Sequence, residues 1–212
     1  MENLRSEDTV LQTKSINSSK NSYIYIGLVD TPGLFASIIR RVIRQKYVHV
    51  VIGLDARLEE AYSVGRRNPA IPFFAGFEQE KKEQILKVFP QADYMVCRIA
   101  CTKEQKEFIK EMLHTCMKER FSYHYTLLGL PFLLWNKPFY EENHYTCSSY
   151  AARLLEEAGV LQFDKHFSLV TPRDFMEYPD KELLFEGPLR ELVAVHPVHG
   201  VSGIRKKWSF QL

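Results

Sequence analysis

Four short runs of aromatic and β-branched residues, alternating with segments that carry helix-start signals, restrict this chain to a mixed α and β fold. Tyr23-Ile24-Tyr25-Ile26-Gly27-Leu28-Val29 reads as a first strand, Val48 to Leu54 as a second, Leu58 to Val64 as a third and Tyr94 to Ala100 as a fourth. Only Asp55-Ala56-Arg57 separates the second from the third, which predicts a hairpin. Thr31-Pro32 places a cap before a proline and opens a helix with Leu34, Phe35, Ile38, Ile39, Val42 and Ile43 on one stripe. Thr102-Lys103-Glu104-Gln105 is a capping box for a helix whose stripe is Phe108, Ile109, Met112, Leu113, Cys116 and Met117. A third helix starts at Cys147 and stops at Ala158-Gly159, and Thr171-Pro172 opens a short one over Arg173 to Met176. Gly65 to Gly76, with Pro69 and Pro72, reads as irregular, and a late strand is expected through Leu183 to Phe185 and Leu189 to Val193. Residues 1–21 are polar and mixed in charge and are expected to form a disordered arm. With no internal repeat and no long linker, 22–212 is expected to be a single domain.

Composition removes several classes of function. At 45% hydrophobic, 212 residues suffice for one good core. A net charge of +2, with only short basic blocks at Arg40-Arg41 and Arg205-Lys206-Lys207, argues against a nucleic-acid partner. The four cysteines, Cys97, Cys101, Cys116 and Cys147, form no CxxC pair, so zinc is not expected, nor is any other metal or organic cofactor. Cys97 and Cys116 fall on apolar runs as small buried hydrophobes, and Cys97 and Cys101 on one strand lie too far apart to bridge. A reduced, cytoplasmic protein is expected. The first 21 residues lack the apolar core of a signal peptide, and the most apolar stretch, Thr126 to Trp135, is too short to span a membrane and contains Pro131.

The chemistry centres on Cys147. In Tyr145-Thr146-Cys147-Ser148-Ser149-Tyr150-Ala151-Ala152-Arg153-Leu154-Leu155 the cysteine opens a helix, where the positive end of the macrodipole favours a thiolate. The other three cysteines lack that position. A thiol enzyme also needs a histidine to carry the counter-charge and an acceptor to orient it. Of seven histidines, His49 alone stands at the mouth of an apolar strand, Val50-Val51-Ile52-Gly53-Leu54. His124 and His144 sit in or beside an aromatic loop, His114 is helical, and His166, His196 and His199 read as loop residues. For the acceptor, Glu59 and Glu60 on the third strand are the candidates. Strand alternation sends them to opposite faces and leaves the choice open.

Three segments resemble the circularly permuted branch of the papain-like NlpC/P60 superfamily, the branch of YiiX-like and lecithin:retinol acyltransferase-like proteins. Tyr47-Val48-His49-Val50-Val51-Ile52-Gly53-Leu54-Asp55 is similar to its histidine strand, Glu59-Glu60-Ala61-Tyr62-Ser63 to the strand of its third polar residue, and Tyr145-Thr146-Cys147-Ser148-Ser149-Tyr150 to its cysteine motif. The histidine precedes the cysteine, as in the permuted branch. The resemblance implies an α+β fold with a small antiparallel β-barrel-like sheet and the cysteine helix packed against it. It implies Cys147 as nucleophile and His49 as base, and favours Glu60 as the third member.

The expected activity is therefore a cysteine hydrolase that cleaves amide bonds in small or cell-wall-type peptides through an acyl-enzyme. Two alternatives come with it. The apolar run Leu127 to Trp135 suits a membrane or an acyl chain, as in a lipid acyltransferase or amidase, and a catalytically silent member would instead bind a ligand or partner.

Overall fold

The strand runs assemble into one mixed sheet covered on both faces. The computed structural model describes residues 20–32, 36–37, 40–41, 44–68, 71–126, 132 and 135–194. In chain order the strands are β1 (Ser22–Asp30), β2 (His49–Gly53), β3 (Ala61–Asn68), β4 (Ile71–Gln79), β5 (Asp93–Cys101), β6 (His124–Tyr125), β7 (His144–Tyr145) and β8 (Lys181–Pro188). The α-helices among the described residues are α1 (Lys82–Val88), α2 (Lys103–Lys118), α3 (Cys147–Glu157), α4 (Pro172–Glu177) and α5 (Leu189–Ala194). The sheet order is β7-β6-β4-β3-β2-β1-β5-β8, antiparallel throughout except for β6 beside β7.

This is an open α+β sheet and not the small antiparallel β-barrel-like sheet that the resemblance implies. The reason lies in the side-chain alternation, which makes both faces apolar. Ile24, Ile26, Leu28, Val50, Ile52 and Val64 pack with Ile109 and Leu113 of α2 and with Ala151, Leu154 and Leu155 of α3. On the opposite face Val29, Val51, Ala61, Tyr94 and Val96 pack with Ile85 of α1 and with Leu189 and Leu192 of α5.

The predicted capping box forms at α2, where Thr102 and Gln105 cap each other, and at α4, where a cap before a proline was expected, the Asp174 carboxylate accepts from the Thr171 N–H and hydroxyl at 2.7 and 2.9 Å. Gly159 follows α3 with a φ of +65°, the left-handed conformation that favours glycine at a helix end. The 2–3 connection is longer than the expected turn. The Asp55 carboxylate accepts from the backbone N–H groups of Arg57, Glu59 and Glu60 at 2.9, 3.2 and 2.8 Å, and Leu58 takes a φ of +54°. Glu59 and Glu60 thus belong to a folded loop, and β3 begins only at Ala61. Of the stretch Gly65 to Gly76, expected to be irregular, the described residues 65–68 and 71–76 are strand and pair β3 with β4. The register shifts between Arg66 and Asn68, and such a bulge accommodates a strand that contains Pro72. Leu189 to Val193, expected as strand, is helical. The stripe of the predicted first helix, the run 127–131 with 133–134, the tail 195–212 and residues 1–19 lie outside the described residues. Among the described residues no helix is long and apolar enough to cross a membrane. All four cysteines are free and buried.

Candidate active site

The first turn of α3 is held by short-range bonds that any chain with this sequence can make. Thr146 is the N-cap. Its hydroxyl accepts from the Ser149 N–H at 3.1 Å, and Ser149 Oγ accepts from the Thr146 N–H at 2.9 Å. Ser148 Oγ donates to the Val170 carbonyl at 2.6 Å and pins the turn to the segment before α4. Cys147 is thereby the first helical residue, 4% exposed, with Sγ 4.0 Å from the Val48 carbonyl oxygen.

His49 is the next residue along, the first of β2, opposite Val29 of β1. Its ring interacts electrostatically with the Cys147 thiol. His49 Nε2 lies 2.6 Å from Glu80 Oε1. Glu80 directly follows β4, and its N–H donates to the Ala61 carbonyl at 2.8 Å. Ser63 Oγ donates to the same Glu80 Oε1 at 2.6 Å. Thiol, imidazole and carboxylate thus interact with one another in turn, and their side chains come from α3, β2 and the β4–α1 junction.

Cys147 and His49 interact electrostatically, and Glu60 lies elsewhere. Glu60 Oε1 lies 2.6 Å from His114 Nε2, with the Tyr62 hydroxyl 3.2 Å away. Glu59 pairs with Lys82 at 2.7 Å and with Arg57 at 3.2 Å. Neither carboxylate reaches His49, because the Asp55-capped loop removes both from the strand. Among the other histidines, His124 and His144 stack with centroids 4.9 Å apart, His144 Nδ1 donates to the Glu142 carbonyl at 2.9 Å, and His166 Nδ1 meets Ser168 Oγ at 2.8 Å. His196 and His199 lie outside the described residues. Glu80 was not singled out in the sequence because it sits in a charged stretch, Glu78-Gln79-Glu80-Lys81-Lys82, with no alternation. Recognising the β3–β4 pairing would have found it, since Tyr62 faces Gln79 and the next residue then falls beside Ala61.

Burial by itself favours neutral imidazole, but the Glu80 carboxylate and Cys147 outweigh it and push the His49 pKa from 6.5 to about 10. Burial likewise raises the Glu80 carboxyl, yet His49, the Ser63 hydroxyl and Arg66 together hold it below its ordinary 4.5. Tyr125 on β6 also feels Cys147. Burial first, and Cys147 second, raise its pKa, so the phenol stays protonated and able to donate. Arg66, in turn, faces Glu80 and Tyr125.

These shifts predict a pH dependence of stability. His49 is raised in the folded protein, so its contribution is complete below the unfolded value of 6.5 and is lost as pH rises through about 10. Glu80 is lowered, so its contribution is complete above 4.5 and is lost as pH falls through the folded value. The Tm of wild type minus that of Glu80→Gln is therefore expected to peak between pH 4.5 and 6.5 and to shrink toward pH 10. A difference that stays flat from pH 5 to 10 would contradict the ion pair.

No group of three or more His, Cys, Asp or Glu that could hold a metal ion occurs among the described residues. Compared with models of protein families, with curated proteins and with solved structures, the chain matches none of them.

Proposed function

We propose that this chain is a cysteine hydrolase of amide bonds in small or cell-wall-type peptides, built as a permuted NlpC/P60-like, papain-like enzyme. One observation carries the reading: Cys147 opens helix α3 and interacts electrostatically with His49, whose Nε2 lies 2.6 Å from the Glu80 carboxylate. The roles follow from the chemistry. Cys147 Sγ, its proton on His49, attacks the substrate carbonyl and forms a C–S bond. The backbone N–H of Cys147 at the start of α3 is the donor offered to the developing oxyanion. His49 returns its proton to the leaving amine as the C–N bond breaks. It then takes a proton from water, which attacks the thioester and releases acid and free thiol. Glu80 keeps the imidazole aligned and stabilises its charged form. The buried, unpaired thiols suit a reducing, cytoplasmic setting.

The test is a panel of short peptides, including muropeptide stems, assayed with wild type and Cys147→Ala. Release of amine by wild type alone supports the reading. Equal release by both proteins, or by neither, removes it.

The acyl-lipid reading rests on a separate observation. Trp135 is 68% exposed and Phe121 is 66% exposed, with Arg67 and Arg120 over the Phe121 ring at 4.7 and 4.9 Å. If lipid is the substrate, wild type floats with anionic liposomes, and Trp135→Ser and Phe121→Ser each weaken flotation and lipid turnover together. No flotation by wild type eliminates lipid.

A further inference from the structure

Ser63 is 3% exposed and lies on β3. Its hydroxyl and the His49 ring both meet one oxygen, Glu80 Oε1, each at 2.6 Å. Two contacts on one oxygen, together with the backbone bond from Glu80 N–H to Ala61, leave the carboxylate little freedom to turn away. Two residues along the same strand, Gly65 lies against the imidazole. A side-chain carbon there would stand 2.8 Å from His49 Cε1, 3.3 Å from Nε2 and 3.3 Å from Ser63 Oγ. The first distance is closer than packed carbons approach, so the ring occupies its place only because residue 65 lacks a side chain. The other charged or titratable groups facing the pair are Cys147 from α3, Arg66 from β3 and Tyr94 from β5. Glu83 of α1 faces Tyr94, and Tyr125 of β6 faces Cys147 and Arg66.

We propose that Ser63 is a positioning residue for the Cys147–His49 pair: its hydroxyl locks the Glu80 carboxylate against His49, and the open site at Gly65 keeps the imidazole seated against that carboxylate. This rests on the cysteine hydrolase reading. Ser63 touches no reacting atom and acts through Glu80.

The experiment is the rate of iodoacetamide alkylation at Cys147 as a function of pH, followed by peptide mass spectrometry. Wild type, His49→Ala, Glu80→Gln, Ser63→Ala, Ser63→Thr, Gly65→Ala and the double variant Ser63→Ala/Glu80→Gln are compared. A hydrogen bond to an ionised group carries about a 10-fold effect or more, so Ser63→Ala is expected to slow alkylation near neutral pH by about 10-fold and to move its onset to higher pH. Ser63→Thr, which keeps the hydroxyl, restores both, and Gly65→Ala loses both because the ring must move. In the Glu80→Gln background Ser63→Ala has no further effect. Wild-type behaviour of Ser63→Ala, or an equal loss in both backgrounds, overturns the proposal while leaving the hydrolase reading intact. Wild-type alkylation that does not depend on His49 overturns the hydrolase reading itself.

Discussion

Cys147→Ala is expected to reduce kcat by about 10⁶-fold, and the double variant Cys147→Ala/His49→Ala is expected to be no worse. His49→Ala alone is expected to cost about 10⁴-fold, the upper part of the range for a positioned acid–base group. The losses do not add because the two side chains make one device. Without the thiol, the histidine has no proton to take and no thioester to resolve. Without the histidine, the thiol at α3 still sits in the same first turn, held by Thr146, Ser148 and Ser149, none of which touches the imidazole. The check is amide release and thioester accumulation for the three variants, with far-UV spectra to confirm folding. A double variant ten times slower than Cys147→Ala alone would mean that His49 acts on something other than the thiol.

Glu80→Gln is expected to lower kcat by about 10⁴-fold, the effect of neutralising the orienting carboxylate in a triad. Glu60→Gln is expected to leave kcat unchanged. The two carboxylates present the same 2.6 Å distance to a histidine nitrogen, yet their surroundings differ. The Glu80 side chain is 15% exposed against a His49 that is 22% exposed, whereas Glu60 and His114 are 40% and 42% exposed. In water the second pair is screened and is worth about 0–1 kcal/mol. The first pair stands beside the thiol, where loss of the charge also removes support for the imidazolium. Glu80→Gln should therefore bring the alkaline limb of kcat/KM down from about pH 10, in the direction of the ordinary 6.5 of histidine. An unchanged alkaline limb in Glu80→Gln, or a shifted one in Glu60→Gln, would reverse the assignment.

How much of this was legible in the sequence follows from where local signals decide structure. The first and fourth strands, the capping box at Thr102, the glycine stop at Gly159 and the helix start at Cys147 were readable, because each depends on neighbours a few residues apart. The pairing of His49 with Cys147 came from two such local features and one resemblance. The errors lie where a polar side chain redirects the backbone. Asp55 gathers three N–H groups and turns a three-residue hairpin into a folded loop, which takes Glu59 and Glu60 off the strand. The β3–β4 pairing was hidden by Pro69, Pro72 and Gly76, whose usual meaning is a break, and with it went Glu80. The open sheet was missed because a half-buried and a doubly covered strand both read as apolar runs when they are short. Leu189 to Val193 was read as strand on the same ambiguity and is helix α5, packed through Leu189 and Leu192.

The most direct test of the Cys147–His49 pair is the pH profile of Cys147 alkylation in wild type and in His49→Ala, with Cys97, Cys101 and Cys116 followed in the same digests. The account predicts that wild-type Cys147 reacts ahead of the other three cysteines and loses that advantage without His49. A Cys147 that reacts in wild type and His49→Ala with the same pH profile would contradict it.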